Sequence, residues 1–225
     1  MEFTYYGQSC FSINLGGKIF LFDPFINGND LAKDIDIDSI SADYILVSHG
    51  HGDHVGDLIP IAKRTNALVI SNFEIITWLQ AQGITHVHPM NFGSYDFDFG
   101  TLTYMQAQHS SCLPDGANGG NPGGFILKSD PGNFYYSGDT SLMLDMQLVP
   151  YYAKVDVPIL PVGGNFTMNV RDAIKASDFI ECNNIVGVHF DTFGYIKIDH
   201  EKSLKMFADA GKKLLLPIVG QTYTV

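Results

Sequence analysis

Two apolar-rich runs, residues 11–15 and 18–22, flank Gly16-Gly17 near the start of the chain. Glycine accepts positive φ at little steric cost, so this pattern predicts a β-hairpin with a two-residue turn. Tyr44-Ile45-Leu46-Val47 is a short apolar run of the kind that forms a buried strand, and it leads into Ser48 and a His-rich stretch. Helical periodicity follows over residues 55–64, with the regular helix expected mostly after Pro60. Ser71-Asn72-Phe73-Glu74 has capping-box spacing, and Ile75, Ile76, Trp78 and Leu79 then predict a helix that stops near Gly83. Alternation over residues 95–99 and 101–106 predicts a second hairpin around Gly100. Residues 124–128 and 133–136 predict a third around Asp130-Pro131-Gly132. Further strands are expected at 155–160 and 185–188, and helices at 170–180 and 201–210, the last stopped by Gly211.

Strands therefore cluster in each half of the chain, with helices after them, which implies an α/β protein of two sheet-plus-helix halves. No linker divides the chain, so residues 1–225 read as a single domain. The one long irregular stretch is 110–123, rich in Gly, Asn and Pro; a loop of that length is expected to be mobile and functional.

Composition narrows the function. Lys and Arg total 13 against 24 Asp and Glu, a net charge of −11, with no basic run. Nucleic-acid binders carry a basic footprint, so a nucleic-acid partner is not expected. A small neutral or modestly anionic substrate fits better. Cys10, Cys112 and Cys182 lack C-x-x-C spacing and read as three reduced, buried thiols. The first residues carry no leader pattern and no apolar run reaches the ~18 residues of a membrane span, so no membrane association is expected and cytoplasm is the default. Assembly into a homo-oligomer stays open.

The chemistry concentrates in His49-Gly50-His51-Gly52-Asp53-His54. His49 and His51 are two apart and point the same way in an extended segment. Four ligand-type side chains in six residues are costly to bury without a partner. His109, Asp139 and His189 each follow a predicted strand, where open α/β folds hold ligands. Together they make five imidazoles and two carboxylates, a donor set for two borderline divalent cations. His86 and His88 read as an exposed strand face. His200 falls in the first turn of the last helix, and Asp115 reads as a solvated loop residue.

His-x-His-x-Asp-His followed by a later His, Asp and His resembles the metal signature of the metallo-β-lactamase superfamily. Gly7-Gln8-Ser9-Cys10-Phe11, Phe22-Asp23-Pro24, Gly120-Asn121-Pro122-Gly123-Gly124, Gly163-Gly164-Asn165-Phe166-Thr167-Met168 and His189-Phe190-Asp191-Thr192-Phe193 extend the likeness over nearly the whole chain. They are similar to a branch of metal-dependent hydrolases related to ascorbate-phosphate lactonases. The resemblance implies a four-layer αββα sandwich. It implies His49, His51 and His109 on a first metal, Asp53, His54 and His189 on a second, and Asp139 between them. The ions implied are two divalent metals, Zn2+ first, with Mn2+ or Fe as alternatives.

The chain departs from that branch at Gln8, where relatives usually carry His, and at Asp191, where they usually carry Asn. Asp191 is expected to add negative charge near the site. Asp23, after a strand and before Pro24, is a candidate to hydrogen-bond a ligand imidazole. Asn165 is a candidate substrate contact. The activity implied is a binuclear, lactonase-like hydrolase acting on a small ester, lactone or phosphoester through a hydroxide generated at the metals, with Asp53 also orienting the attacking oxygen. The alternatives are a nuclease or phosphodiesterase of the same fold, and a metal-binding module without hydrolytic activity.

Overall fold

The predicted first hairpin forms, with Gly16 and Gly17 at φ +59° and +81°, the left-handed values such a turn requires. The structure is a computed structural model describing residues 1–225. It contains two compact units. Unit 1 comprises Met1–Asn91, Ser110–Pro122 and Ile218–Val225; unit 2 comprises Phe92–His109 and Gly123–Pro217.

In unit 1 the hairpin joins β2 (Cys10–Leu15) to β3 (Lys18–Phe22), with β1 (Glu2–Gly7) antiparallel beside β2. Next come β4 (Tyr44–Leu46), the short helix α1 (Gly52–Val55) and α2 (Leu58–Thr65). They are followed by β5 (Leu68–Asn72), α3 (Phe73–Ala81) and β6 (Val87–Met90). Strands β3 to β6 pair in parallel, and parallel pairing requires crossover connections. Leu21, Ile45, Val69, Ile75 and Leu79 are fully buried in one apolar cluster, each contributing about 1.5–3 kcal/mol of burial.

Unit 2 repeats the plan. An antiparallel meander of β7 (Gly93–Phe97), β8 (Gly100–Gln106), β9 (Gly123–Lys128) and β10 (Phe134–Tyr136) comes first. Helix α4 (Val149–Tyr152), β11 (Val157–Pro161), α5 (Val170–Ile180), β12 (Asn184–Val188), α6 (His200–Asp209) and β13 (Lys213–Leu215) follow. Strands β10 to β13 are parallel. Leu160, Ala173, Ala176 and Phe207 are fully buried in this unit's cluster. The chain then returns to unit 1, where β14 (Thr222–Thr224) pairs antiparallel with β1. Each unit thus holds one seven-stranded mixed sheet, and the expected α/β class is borne out.

Several expectations need correction. Helix α2 begins at Leu58, so Pro60 lies in its first turn, where a missing N–H loses no intrahelical bond. Asn72, rather than Ser71, caps α3 by accepting from Ile75 N, while the Ser71 hydroxyl donates to the Val47 carbonyl. Ser71 is still strand, so its spacing to Glu74 was a false capping box. Cys112 is exposed, though all three thiols are free and Cys10 and Cys182 are buried as expected.

The 110–122 segment is tethered rather than loose. Asn72 Nδ2 donates to the carbonyls of Gly119 and Asn121, Gly119 N donates to Ser111 O, and the Ser111 hydroxyl donates to Gly119 O. Asp115 is not merely solvated: it accepts from the Trp78 indole at 2.7 Å. No helix is long and apolar enough to cross a membrane.

Candidate metal centre

The parallel strands of both units deliver the candidate residues at their C-terminal ends. Asp23 follows β3, His49 follows β4, Asp139 follows β10, Asn165 follows β11 and His189 follows β12. Backbone conformation marks the same places. Seven non-glycine residues have positive φ. Asn66 and Glu181 are ordinary left-handed helix caps. The other five are Gln8, Asp23, Asn165, His189 and Asp191, all just past strand ends. Left-handed backbone costs a non-glycine residue roughly 1–3 kcal/mol and gathers where function requires it.

In unit 1 a buried carboxylate organises two imidazoles. Asp23 Oδ1 accepts from Ser48 N at 2.7 Å, and Oδ2 accepts from the Ser48 hydroxyl at 2.6 Å. His54 Nδ1 lies 2.8 Å from the same Oδ2, and both side chains are wholly buried. Because the Ser48 hydroxyl gives its proton to Asp23, its lone pair receives the Nδ1–H of His49 at 2.9 Å. Asp23 thus fixes both rings with Nδ1 protonated, one directly and one through Ser48, and directs their Nε2 lone pairs outward as metal ligation requires. The expectation that Asp23 hydrogen-bonds a candidate ligand histidine holds. Ligand-type atoms of Asp23, His49 and His54 all lie within 4.8 Å of one another.

His49 Nε2 sits 3.0 Å from His51 Nδ1, and His51 Nε2 sits 3.2 Å from the Ser110 hydroxyl. Asp53 lies at the start of α1, its Oδ2 3.6 Å from His54 Nε2. That oxygen also accepts from Gln8 Nε2 at 2.8 Å. Gln8 is fully buried and left-handed at φ +54°, so the chain's departure at this position becomes an amide holding Asp53. Sequence pattern alone does not single out Ser48, nor does it pair Gln8 with Asp53.

In unit 2, Asp139 Oδ2 faces two imidazoles: His189 Nε2 at 2.9 Å and His109 Nε2 at 3.8 Å. Asp139 and His189 are buried. The segments carrying them are stitched together. Gln108 N donates to Thr140 Oγ1, and the Ser141 hydroxyl donates to Gln108 Oε1 at 2.7 Å. Gly163 backs directly on the His189 carbonyl, where a Cβ would collide with that oxygen.

Asp191 turns its carboxylate into its own loop. Oδ1 accepts from Ile198 N at 3.0 Å and Oδ2 pairs with His200 Nε2 at 2.6 Å. Both carboxylate oxygens are thereby engaged, one by the loop backbone and one by the first residue of α6. Asn165 is exposed at the turn after β11. The expected exposed strand face is not what forms: His86 lies just before β6, exposed and paired through Nδ1 with the Asn66 carbonyl, while His88 lies in β6 and is half-buried.

The donor set suits divalent metals. Imidazole nitrogens and carboxylate oxygens together select borderline cations such as zinc. A buried carboxylate facing two imidazoles is an arrangement that a cation stabilises. The family comparison decides the class: a model described as the Beta-lactamase superfamily domain matches residues 2–189.

The chain belongs to the metallo-β-lactamase superfamily.

Within this superfamily it is 53% identical over 223 residues to a UPF0173 metal-dependent hydrolase of Flavobacterium johnsoniae, covering 99% of each chain. It is 50% identical over 224 residues to another from Christiangramia forsetii, again covering 99% of each. Among solved structures it is similar to a metallo hydrolase of the archaeon Ignicoccus hospitalis, with a TM-score of 0.88 and 29% identity over 99% of this chain and 97% of that one. The metallo-β-lactamase fold protein YhfI of Bacillus subtilis matches with a TM-score of 0.71 at 16% identity, over 99% and 98% of the two chains, a likeness of fold. The metallo-β-lactamase fold expected from the motif is therefore the fold of this chain.

Proposed function

We propose that this metal-dependent hydrolase of the metallo-β-lactamase fold is binuclear and cleaves a small ester, lactone or phosphoester. Both units would work as one catalytic domain over residues 1–225. In this reading His49, His51 and His109 hold one ion, and Asp53, His54 and His189 hold the other, with Asp139 bridging. Zinc is the first choice of metal, and manganese or iron the alternatives. Bound divalent ions would lower the pKa of water toward about 7 and polarise the oxygen that gains charge.

The observation that carries the reading is the paired preparation of the ligands. Asp23 presets His49 and His54 in unit 1, and Asp139 gathers two imidazoles in unit 2. Asp53, held by Gln8, orients the attacking water. Asn165, exposed on its strained turn, contacts substrate. A net charge of −11 disfavours a polyanionic substrate, which argues against the nuclease alternative. A lactonase-like activity in the cytoplasm is the form we favour.

The test is metal analysis of the purified protein together with a screen of lactones, esters and phosphoesters. Two equivalents of metal and turnover of at least one class are expected. Less than one equivalent after exposure to excess zinc, with no turnover, would overturn the proposal.

A further inference from the structure

Three large apolar side chains stand in solvent on the loops that follow β11 and β12. Phe166 is 52% exposed, Phe193 37% and Tyr195 78%. The Phe166 and Tyr195 rings, from different loops, meet edge to face with centroids 6.2 Å apart and planes at 80°. A single exposed aromatic residue is ordinary, but rings gathered on adjoining loops form a patch that calls for a ligand.

The patch is supported from beneath. Val162 N donates to Val188 O, and Gly163 leaves no room for a side chain against the His189 carbonyl. Gly164 N donates to Met168 O, and Met168 N donates to Thr140 O, next to Asp139. Met168 is fully buried, so it anchors the turn, while the left-handed Asn165 at φ +57° leads into the exposed Phe166. On the other loop Asp191 N donates to Ile196 O, and the Asp191 carboxylate holds Ile198 N and His200. Both rings therefore ride on shaped loops fastened to the segments that carry Asp139 and His189.

We infer that Phe166 and Tyr195 form an apolar subsite that takes the aryl or extended hydrocarbon arm of the substrate. This rests on the hydrolase reading above and narrows its substrate class to molecules with such an arm next to the scissile group. An apolar pocket discriminates by about 10–200-fold per group it receives, and edge-to-face aromatic packing adds to area burial.

The test uses the metal-loaded protein with 3-phenylpropionate and propionate as probes. Affinities are measured by titration calorimetry, and the Phe166 and Tyr195 ring signals by NMR of carbon-13-labelled aromatic residues. We expect 3-phenylpropionate to bind about tenfold more tightly than propionate and to shift both ring signals. That preference should fall to within about twofold in Phe166→Ala and in Tyr195→Ala, and survive in Tyr195→Phe, which keeps the ring. Equal affinities in the wild type, a preference kept in both alanine variants, or unmoved ring signals would overturn the subsite. The ring signals are read on the wild type, so a variant that misfolds does not remove the test. Turnover of esters or lactones without any preference for an aryl arm defeats the subsite and leaves the hydrolase reading. Ring shifts with no turnover of any class defeat the hydrolase reading and leave the subsite.

Discussion

A buried carboxylate that accepts from three donors is difficult to replace. Asp23→Ala strands Ser48 N, the Ser48 hydroxyl and His54 Nδ1 in a dry environment, at about 1–3 kcal/mol for each unmet donor. The variant is expected to lower the melting temperature even with metal removed, and to lower activity about 10–100-fold through misdirected ligand rings. Asp139→Ala should abolish activity more fully, since a bridging carboxylate would touch both ions. Steady-state kinetics with parallel metal analysis separate the two; equal, mild losses at both positions would remove Asp139 from the bridging role. Gln8 gives a third comparison. Gln8→Ala takes away the donor to Asp53 Oδ2 and is expected to cut kcat by about 10–100-fold while metal stays bound. Gln8→His restores a ring N–H and should recover part of the loss. A Gln8→Ala enzyme with unchanged kcat would show that Asp53 needs no such support.

Among the elements, the 110–122 segment carries its own reporter. Trp78 is the one tryptophan in the chain, and its indole donates to Asp115. The Asp115 carboxyl is held below the ordinary carboxylate range, first by the Ala117 backbone N–H and then by Trp78. A lowered folded pKa means the tether is intact above the usual aspartate value of about 3.9 and is lost as pH falls through the lower value of the folded protein. Trp78 emission should stay constant from neutral pH to about pH 4 and change below that, and Asp115→Ala should change it already at neutral pH. Wild-type emission from Asp115→Ala would mean the tether does not form. The composition of this segment suggested mobility because the bonds that hold it come from Asn72 and Trp78, far back in the chain. Local patterns were read well where the cause was local. Helix α5 runs Val170–Ile180 as its periodicity predicts, capped by an Asn169–Asp172 box. Ligand-type residues stood out because His-x-His-x-Asp-His is chemically rare at that spacing. Ser48 did not, and Gln8 stood out only as a departure from the branch, since their meaning lies in partners 25 and 45 positions away. The pairing of β14 with β1 was missed because a three-residue strand is too short to show a period.

At the scale of the molecule, bound metal and folding should be coupled. A ligand that binds only the native state stabilises it by about 4 kcal/mol at a thousandfold excess over Kd. In a chain of this length each kcal/mol moves the melting temperature by roughly 2–4 °C. Chelation is therefore expected to lower the melting temperature by on the order of 10 °C, with full recovery on adding zinc; a shift below about 1 °C in scanning calorimetry would mean that the ligand sets do not bind metal in the native protein. The return of the chain to unit 1 has a consequence of another kind, in the order in which the protein is made. Strand β6 ends at Met90, and β14, the partner that covers the outer edge of β1, begins only at Thr222. A ribosome adding about 5–20 residues per second needs on the order of ten seconds to cover that interval. Throughout it the nascent first sheet presents β1 as an uncovered edge, a template onto which other strands pair. The neighbouring chains on a polysome would all offer this edge at once, so the synthesis of β14 is the event that ends this edge's exposure to aggregation.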